Sequence, residues 1–481
     1  MFDVAIIGCG IVGAAAAYEL SKYELSLVTL EKENDVAASG ATKANSATIH
    51  AGYDPRPGTL MARLNVEGAA LTKELCRNLD IPHKQCGALV LAFSDSEVPT
   101  LERLLANGIA NGVPGMKMIS GAEALRVEPN INPGIFAALQ VPTTMIVSPW
   151  EFTHALAETS VRNGADLRLN SNVTSITREG SAYIIHTADG EVRTRRIINA
   201  AGLYADHIHN MVAVPEFEIL PDRGEYYLLD KSEGTRVSQV IYQCPNELGK
   251  GVLVAPTVHG NLIAGPSNAT RSTRDDTSNT YQGLSNVKSA AGKSVPSIDF
   301  RASIRNFAGI RARTDQYDFI IGHAKGAEGF INLAGIKSPG LSAAPAIAKM
   351  AADLLAEIGL DMRRKQNFIN ERKRVRFHDL SQNEKAALIA KDPAYGQVIC
   401  RCETVTEGEI RDALASPIPP RSLDGVKRRT GPGMGRCQGG FCSPRVLEIL
   451  ARHYGVSPIE IPQDTEGTYI LTSETKGGAA R

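Results

Sequence analysis

Four cysteines near the C-terminus are the residues whose types and spacing most directly indicate chemistry. VICRCETVTEGEI contains Cys400 and Cys402 with one residue between them, and GRCQGGFC contains Cys437 and Cys442 with four between them. Four thiolates can bind an iron–sulfur cluster or a tetrahedral zinc ion. Zinc motifs usually leave about two to four residues between paired cysteines, so the tight Cys-x-Cys favours iron–sulfur, with zinc as the alternative.

The residues that flank the cysteines suit an anionic cluster. Thr406 and Glu409 form a capping-box pattern, which predicts a helix just after the first pair, and Ser443-Pro444 predicts another just after the second. Two helix N-termini then point towards one site, and the glycines of GRCQGG leave backbone N–H groups free to approach sulfur. The other thiols are expected to be structural and inert: Cys9, Cys76, Cys86 and Cys244.

A nucleotide-binding unit is predicted at the N-terminus. In DVAIIGCGIVGAAAAYEL, Gly8 permits a tight turn, Gly10 lets the backbone approach a pyrophosphate, and Gly13 allows close helix–strand packing. A second apolar strand, LSLVTLEKE, ends at Glu31, where a carboxylate can accept the ribose hydroxyls. These residues alone leave FAD and NAD as alternatives.

Further segments resemble the D-amino-acid-oxidase superfamily of flavoproteins, which implies FAD. ASGATKANSATIHAGYDPRPGTLMARLNVEG resembles its second block, RIINAAGLYAD the passage beside the flavin ring, NSNVTSI the adenine-side strand, and GFINLAGIKSPGLSAAPAIAKMAADLL a strand, turn and helix, with the helix beginning near 339–341. The FAD-binding residues that the motif and the resemblance imply are Gly8, Gly10, Ile11, Val12, Gly13, Glu31, Lys32, Thr42, Asn45, Ser46, Val173, Ala201, Gly202, Gly309, Arg311, Gly340 and Leu341.

Flavoproteins of this kind that oxidise a secondary alcohol need a base for the hydroxyl proton and a cation for an acidic group. His50, after NSATI, is the candidate base, although it could merely pack beside FAD. GIRARTDQYDFIIG presents Arg311 and Arg313, whose planar guanidinium groups bind phosphate or carboxylate. We expect only one of the two to face the pocket, and favour Arg311. Lesser substrate contacts are expected from Ser46, Lys250, His259, Arg313, Lys337 and Ser338.

The C-terminal block is similar to bacterioferritin-associated-ferredoxin-like 2Fe-2S domains. Its combination with the flavin segments resembles the large subunits of anaerobic glycerol-3-phosphate dehydrogenases. This implies oxidation of sn-glycerol 3-phosphate to dihydroxyacetone phosphate, low oxidase activity, and electrons that leave through the cluster to a partner redox subunit. The flavin part also resembles L-2-hydroxyglutarate oxidases and amino-acid or opine dehydrogenases, so those substrates stay open. A non-enzymatic electron-transfer or scaffold subunit is the remaining alternative.

The pattern of helices and strands that must position these residues predicts an α/β (α+β) fold. We expect a Rossmann-like FAD-binding domain, an antiparallel-sheet substrate domain, and a small helical 2Fe-2S domain. The predicted bounds are 1–80, 145–210 and 305–360 for the first, 81–144 and 211–304 for the second, a linker at 361–395, and 396–481 for the third. Strands of the second domain are read from the alternating patterns of RGEYYLLDK and GVLVAPTVHGNLIAGPS.

Charge and composition limit the kinds of partner that the protein is expected to bind. The chain has 52 lysines and arginines and 52 aspartates and glutamates, so its overall charge predicts neither nucleic acid nor an anionic membrane surface as a partner. It opens on the apolar strand FDVAIIG without a charged leader, and no window is as apolar as a spanning helix. We expect a cytoplasmic enzyme with a small anionic substrate, which reaches a membrane only through its partners.

Two basic stretches are interpreted separately. DMRRKQNFINERKRVRFHDLSQNEK is expected to be a linker or exposed helix whose basic residues form a solvated face, with a docking surface as the alternative. KRRTGPGMGR, beside Cys437, is a candidate docking turn for the redox partner.

Overall fold

Two large sheets and a small helical domain make up the described chain. The structure is a computed structural model that describes residues 1–245, 251–270, 273–473 and 475. Its strands are β1 (Phe2–Ile7), β2 (Leu27–Leu30), β3 (Thr48–Ile49), β4 (His83–Gln85), β5 (Ala88–Ala92), β6 (Lys117–Ser120), β7 (Ala137–Val141), β8 (Met145–Val147), β9 (Asp166–Arg168), β10 (Val173–Glu179), β11 (Ala182–Thr187), β12 (Gly190–Asn199), β13 (Ile219–Leu229), β14 (Val240–Gln243), β15 (Leu253–Pro256), β16 (Leu262–Gly265), β17 (Ala269–Thr270), β18 (Ser303–Thr314), β19 (Ile320–His323), β20 (Phe330–Ala334), β21 (Val398–Cys400) and β22 (Val405–Thr406). Its α-helices are α1 (Ile11–Leu20), α2 (Gly40–Lys43), α3 (Leu60–Asn78), α4 (Val98–Ala110), α5 (Gly121–Val127), α6 (Pro149–Arg162), α7 (Ala205–Asn210), α8 (Tyr281–Ser294), α9 (Gly340–Glu357), α10 (Gln382–Lys391), α11 (Glu407–Leu414), α12 (Leu423–Thr430) and α13 (Ser443–Tyr454).

The first sheet has a parallel centre. β9, β2, β1, β12 and β20 lie side by side in parallel, while β10 and β11 continue from the first half of β12 as an antiparallel extension, and β19 pairs antiparallel with β20. Parallel neighbours need a crossover between them, and α1 supplies the one from β1 to β2. The carboxyl ends of β1, β2, β12 and β20 therefore meet at one edge, where ligands bind in open α/β sheets.

The helices that pack beside the first sheet are apolar on more than one face. α1 is rich in alanine and buried along most of its length, because it packs against both α6 and α9. Small side chains allow such close approach on several sides, and α9 is buried in the same way with a further contact to α3. The first sheet is thus held on one side by a tightly packed helical layer.

The second sheet is mainly antiparallel, as expected. Its order is β6, β7, β5, β14, β15, β16, β13, with β17 and β18 also on β13. One pair departs from the expectation, since β5 and β14 run parallel. β18, which we placed in the first domain from residue 305 onward, pairs with β13 of this sheet along its length. The domain bounds themselves stay a prediction.

The C-terminal domain (residues 396–473) packs α11, α12 and α13 around a small apolar core that includes Ile410 and Leu450. The Thr406–Glu409 capping box is present and starts α11 just after the first cysteine pair. α13 starts just after the second pair with Pro444 in its first turn, but its cap is Cys442, and Ser443 makes no capping bond. Both helix starts were predicted correctly.

The linker differs from the prediction of a solvated basic face. Three of its arginines lie against acidic side chains of the first domain: Arg372 on Glu158 at 2.7 Å, Arg374 on Glu151 at 3.3 Å, and Arg376 on Asp80 at 2.9 Å. Arg372 is buried, and α10 follows only after this segment. The sequence shows the basic run but not the distant carboxylates that bind it. None of the helices in the described part of the chain has the length and hydropathy needed to span a lipid bilayer.

Candidate active site and cysteine centre

A cavity of about 1950 Å³ opens at the carboxyl edge of the first sheet and extends to the second. It is lined by nearly all of the residues predicted to bind FAD, namely Gly8, Gly10, Ile11, Val12, Glu31, Lys32, Thr42, Asn45, Ser46, Val173, Ala201, Gly202, Gly309, Arg311, Gly340 and Leu341. Gly13 is the one residue of the predicted set that does not line the cavity. We call this space the central cavity.

The glycine turn leaves no room for side chains. Gly8 has φ +97°, and a Cβ there would lie 2.6 Å from the carbonyl oxygen of Ala200. A Cβ on Gly13 would lie 1.9 Å from the carbonyl oxygen of Gly8, so this glycine serves the packing of α1 on the turn. Both positions require glycine for the backbone to reach the cavity wall.

Glu31 ends β2 at the cavity edge and is fixed by the backbone. Its carboxylate accepts hydrogen bonds from the N–H groups of Cys9 at 2.7 Å and Glu33 at 3.0 Å. Burial raises the pKa of Glu31, while these two N–H groups oppose the shift. A carboxylate held in this way can accept further hydrogen bonds from ribose hydroxyls.

Two helix N-termini face the cavity. Gly10 caps α1 and Pro339 caps α9, and neither makes a side-chain capping bond, although the Ile11 N–H of α1 donates to Thr42 Oγ1 at 3.0 Å. Their first-turn N–H groups and helix dipoles favour negative charge, which suits a pyrophosphate at α1 and the pyrimidine edge of a reduced flavin at α9. Together with Glu31 and the glycine turn, these residues fit FAD.

His50 lies on the cavity wall between two hydroxyl groups. The Tyr242 hydroxyl is 3.2 Å from Nδ1, and the Ser338 hydroxyl is 3.4 Å from Nε2. The His50 backbone is also fixed, since its N–H donates to Ser342 Oγ at 2.8 Å and its carbonyl accepts from Asn65 at 2.6 Å. The imidazole is therefore held with Nε2 on the side of Ser338, which lines the central cavity.

Arg311 and Arg313 both line the cavity, so the expectation that only one could face it is wrong. Side chains two residues apart on a strand point to the same face. Asp222 pairs with both, at 3.2 Å from Arg311 and 3.3 Å from Arg313. Arg311 also donates to the carbonyl oxygens of Asp222, Arg223 and Ser267 at 3.2–3.4 Å.

The other predicted substrate contacts lie at different parts of the wall. Ser46 and Ser338 line the cavity, and so does Lys337, whose Nζ donates to the Gln316 carbonyl at 2.9 Å. His259 lines it on another side, with Nε2 3.8 Å from Glu151. Lys250 lies outside the described residues. The catalytic and binding roles assigned to these side chains stay predictions.

Two site residues were not found from the sequence. Tyr242 is 192 positions from His50, and no local pattern marks it. Asp222 faces Arg311 because β13 and β18 pair in a register that sets these two residues opposite each other. Such a register can be known only once the strands are paired.

The four C-terminal cysteines come together in two pairs. The sulfur atoms of Cys402 and Cys437 are 3.8 Å apart, and Cys400 faces Cys442. Among the described residues, no three Cys, His, Asp or Glu side chains converge as the ligands of a single metal ion. Two pairs suit a cluster of two irons, each held by two thiolates, better than one tetrahedral zinc ion.

One thiol of each pair is favoured as a thiolate: the pKa values of Cys400 and Cys437 are lowered, while those of their neighbours Cys442 and Cys402 are raised. The pKa of Cys400 is lowered to about 6, first by the thiol of Cys442 and then by backbone N–H groups. Together these effects outweigh burial, which raises the pKa. The N–H of Phe441 is the first cause that lowers the pKa of Cys437. Backbone donors aimed at sulfur are what an anionic iron–sulfur cluster needs. By contrast, burial is the first cause that raises the pKa of each remaining thiol, Cys9, Cys76, Cys86 and Cys244.

The C-terminal domain forms part of the cavity wall. Met434 and Gln438, on the loop that carries Cys437, line the same cavity as the glycine turn. The domain is anchored by Asp35, which follows β2 and binds Arg428 at 2.9 Å and Arg429 at 2.7 Å. Both arginines are buried, so the candidate docking turn KRRTGPGMGR binds its own chain with these residues.

Fold and site define a flavin enzyme with an iron–sulfur domain. Residues 3–354 match the family described as FAD dependent oxidoreductase, and the chain belongs to this family. Residues 398–452 match the BFD-like [2Fe-2S] binding domain. The cofactors are therefore FAD and a 2Fe-2S cluster, as predicted, and the zinc, NAD and non-enzymatic alternatives are set aside.

Individual proteins similar to this chain give a more specific comparison than the family does. The chain is 51% identical over 477 residues to a glycerol 3-phosphate dehydrogenase from Caloramator mitchellensis, covering 99% of both chains. It is 34% identical to a glycerol 3-phosphate oxidase from Mycoplasma genitalium, covering 76% of this chain and 97% of that one. Dithionite-reduced L-alpha-glycerophosphate oxidase from Mycoplasma pneumoniae with FAD bound has a similar structure, with a TM-score of 0.74 and 32% identity, covering 77% of this chain and 98% of that one.

Proposed function

We propose that this enzyme is a dehydrogenase that oxidises sn-glycerol 3-phosphate to dihydroxyacetone phosphate and passes the electrons out through its cluster. The observation that carries the proposal is the match to a glycerol 3-phosphate dehydrogenase along 99% of both chains, which includes the cysteine domain. The glycerol 3-phosphate oxidases match only 76–77% of this chain.

His50 is the proposed base for the substrate hydroxyl. Bound FAD would supply the hydride acceptor for the substrate carbon. For Nε2 to accept the hydroxyl proton, Nδ1 must carry hydrogen, and the Tyr242 oxygen at 3.2 Å can accept it. Burial raises the pKa of Tyr242 well above its ordinary value, so the phenol stays protonated and its oxygen remains a neutral acceptor. The contact with Tyr242 is thus compatible with the histidine form that can act as a base, in which Nδ1 donates and the phenol oxygen accepts.

Arg311 and Arg313 are the proposed phosphate contacts. Asp222 neutralises one of the two charges, which leaves a net positive pair beside the cavity. The contacts of Arg311 are long, at 3.2–3.4 Å, and a phosphate offers shorter, charge-assisted bonds. Ser46, Lys250, His259, Lys337 and Ser338 complete the proposed set of lesser contacts.

The position of the cysteine loop supports electron exit through the cluster. Gln438 follows Cys437 directly and lines the cavity that holds the flavin-binding residues. An enzyme that delivered electrons only to oxygen at its flavin would have no need of this domain, so we expect low oxidase activity. The proposed acceptor is a partner redox protein in the cytoplasm, and any approach to a membrane would be through that partner.

An anaerobic titration tests the substrate. Purified enzyme is mixed with glycerol 3-phosphate, L-2-hydroxyglutarate and a panel of amino acids and opines, and flavin absorbance is followed. We expect full bleaching by glycerol 3-phosphate at the lowest concentration and fastest rate. Bleaching by a hydroxy acid or an amino acid, with none by glycerol 3-phosphate, would assign one of the alternative substrates instead.

A further inference from the structure

The loop between the second pair of cysteines exposes a large aromatic side chain. Phe441 is 85% exposed, although it directly precedes the buried Cys442 and its N–H donates to the sulfur of Cys437. On the neighbouring strand, Val398 is also exposed, two residues before Cys400. A single exposed apolar side chain is common on protein surfaces, and what marks Phe441 as a contact site is its position beside a redox centre.

Four exposed arginines lie near the cysteines in this part of the chain. Arg401 is exposed between Cys400 and Cys402. Arg436 precedes Cys437, its side chain is 72% exposed, and its charge interacts with Cys402. Two further exposed arginines bond to the same region: Arg445 to the Val398 carbonyl at 3.4 Å and Arg305 to Gln438 at 3.4 Å. We call Phe441 and these four arginines the thiol-side surface.

The nearby carboxylates cancel only part of this charge. Asp230 offsets Arg436 at 2.9 Å, while Glu403 is offset by Lys231, a cation outside the four arginines, at 2.8 Å. Glu448 is exposed one turn beyond Arg445 on α13. The surface therefore carries a net positive charge and an apolar side chain, next to the most exposed of the four thiols, Cys402.

We propose that the thiol-side surface binds an acidic one-electron carrier protein, with Phe441 as the apolar anchor. Oxidation of one alcohol to a ketone releases two electrons and two protons, so each substrate reduces two carrier molecules by one electron each. Carboxylates on the carrier would face the arginines, which steers association, while the buried aromatic contact would slow dissociation. The proposal rests on the proposed electron exit through the cluster.

A second copy of the chain fits this surface poorly. A two-fold interface places the same patch against itself, which would bring arginines against arginines. Attraction between the arginines and the anionic cluster accounts for their charge but not for the exposure of Phe441. An acidic carrier with an apolar patch among its carboxylates accounts for both features.

Two acceptors of opposite charge test the proposal: plastocyanin, an acidic copper protein, and cytochrome c, a basic haem protein. Holoenzyme with glycerol 3-phosphate is assayed for reduction of each at ~0.02 M and ~0.5 M salt, a range that removes most long-range charge effects. The test variants are Phe441→Ala and Arg401→Glu. The matched controls are Phe136→Ala, at a side chain 53% exposed on the second sheet, and Arg301→Glu, at a side chain 91% exposed.

We expect plastocyanin to be reduced at least ~10-fold faster than cytochrome c at low salt, and this preference to disappear at high salt. Each test variant should lower the plastocyanin rate about tenfold and each control should leave it unchanged. Flavin bleaching without acceptor, and the content of iron and acid-labile sulfide, should be as in wild type in all four. These two readouts separate a failure of docking from a failure of the proposed substrate or cluster.

Three results would overturn the proposal. One is a preference for cytochrome c, or no reduction of plastocyanin by wild type. Another is an unchanged plastocyanin rate in both test variants. The third is a smaller mass of Phe441→Ala than of wild type by light scattering, or loss of wild-type binding to anionic vesicles in that variant, since either would assign the surface to a second copy or a membrane.

Discussion

The proton-accepting role of His50 depends on which nitrogen carries hydrogen. Nδ1 faces the Tyr242 hydroxyl and Nε2 faces Ser338 on the cavity wall. The backbone on both sides of the ring is held by Ser342 and Asn65. The site therefore fixes the position of its proposed base and leaves Nε2 on the cavity side.

Replacement of His50 should slow flavin reduction. In His50→Asn, loss of a positioned general base should lower the rate constant by about 10²–10⁴ and change substrate affinity much less. Stopped-flow measurement of flavin bleaching against substrate concentration separates the two effects. His186→Asn, at a partly exposed side chain of β11, is the matched control. A His50 variant that bleaches as fast as wild type would remove this residue from the mechanism.

Replacement of either cavity arginine should weaken substrate binding. Arg311→Met and Arg313→Met each remove one cation of the pair that shares Asp222, and we expect a loss of about 2–5 kcal/mol in binding of a phosphate substrate. The same stopped-flow series gives the dissociation constant, with Arg193→Met, at a side chain of β12 that is 53% exposed, as the control. If only Arg311→Met weakened substrate binding, the proposal that Arg313 contacts the phosphate would be wrong.

Local sequence signals identified the elements well, because each depends on neighbours in the chain. The glycine turn, the Thr406–Glu409 capping box and the helix start at Pro339 are all short-range patterns. What the sequence could not show depends on long-range pairing, such as the parallel contact of β5 with β14 and the opposition of Asp222 to Arg311. The error about the two arginines came from misapplying the two-residue period of a strand.

The cysteine loop should bind its cluster independently of the flavin site. In Cys437→Ser we expect loss of iron and acid-labile sulfide with FAD retained, because the glycine turn lies in another domain. Metal analysis and flavin quantitation of anaerobically purified protein give both values. Cys244→Ser, at a buried thiol of the second sheet region, should keep both cofactors. Stoichiometric zinc without sulfide in wild type would refute the cluster.

The contact of Asp35 with Arg428 and Arg429 should anchor the C-terminal domain. Burial alone would raise the pKa of Asp35, but Arg429 and His154 hold it well below its ordinary value. A carboxylate with a lowered folded-state pKa stabilises the fold above its unfolded pKa of about 3.9, and this stabilisation is lost as pH falls further. Asp35→Asn leaves the buried Arg429 without its carboxylate, while Arg428 keeps Asp464 at 2.6 Å, and it should cost about 3–5 kcal/mol near pH 7.

Thermal unfolding as a function of pH tests this anchor. The difference in Tm between wild type and Asp35→Asn should be constant from about pH 5 to 8 and should shrink below about pH 4. Asp189→Asn, at an exposed position between β11 and β12, is the control. Equal stability of the Asp35 variant at pH 7 would show that the domain is held in another way.

The whole molecule places the cysteine loop beside the cavity that the predicted flavin-binding residues line. Most of the proposed flavin-binding residues lie at the carboxyl edge of the first sheet, and Gly309 and Arg311 come from β18 of the second. Met434 and Gln438 bring the cysteine loop to the same wall. Asp35 and the linker arginines hold the C-terminal domain against the first domain. This arrangement explains why one chain carries both a substrate pocket and an electron outlet.

The most direct test of this account compares wild type and Cys437→Ser in one experiment. Each is mixed anaerobically with glycerol 3-phosphate, first alone and then with the one-electron acceptor plastocyanin, while flavin and acceptor absorbance are recorded. The account predicts that the flavin bleaches at similar rates in both proteins and that only wild type then reduces the acceptor. Reduction of the acceptor by the cluster-free variant at the wild-type rate, or rapid oxygen consumption as the main wild-type activity, would contradict it.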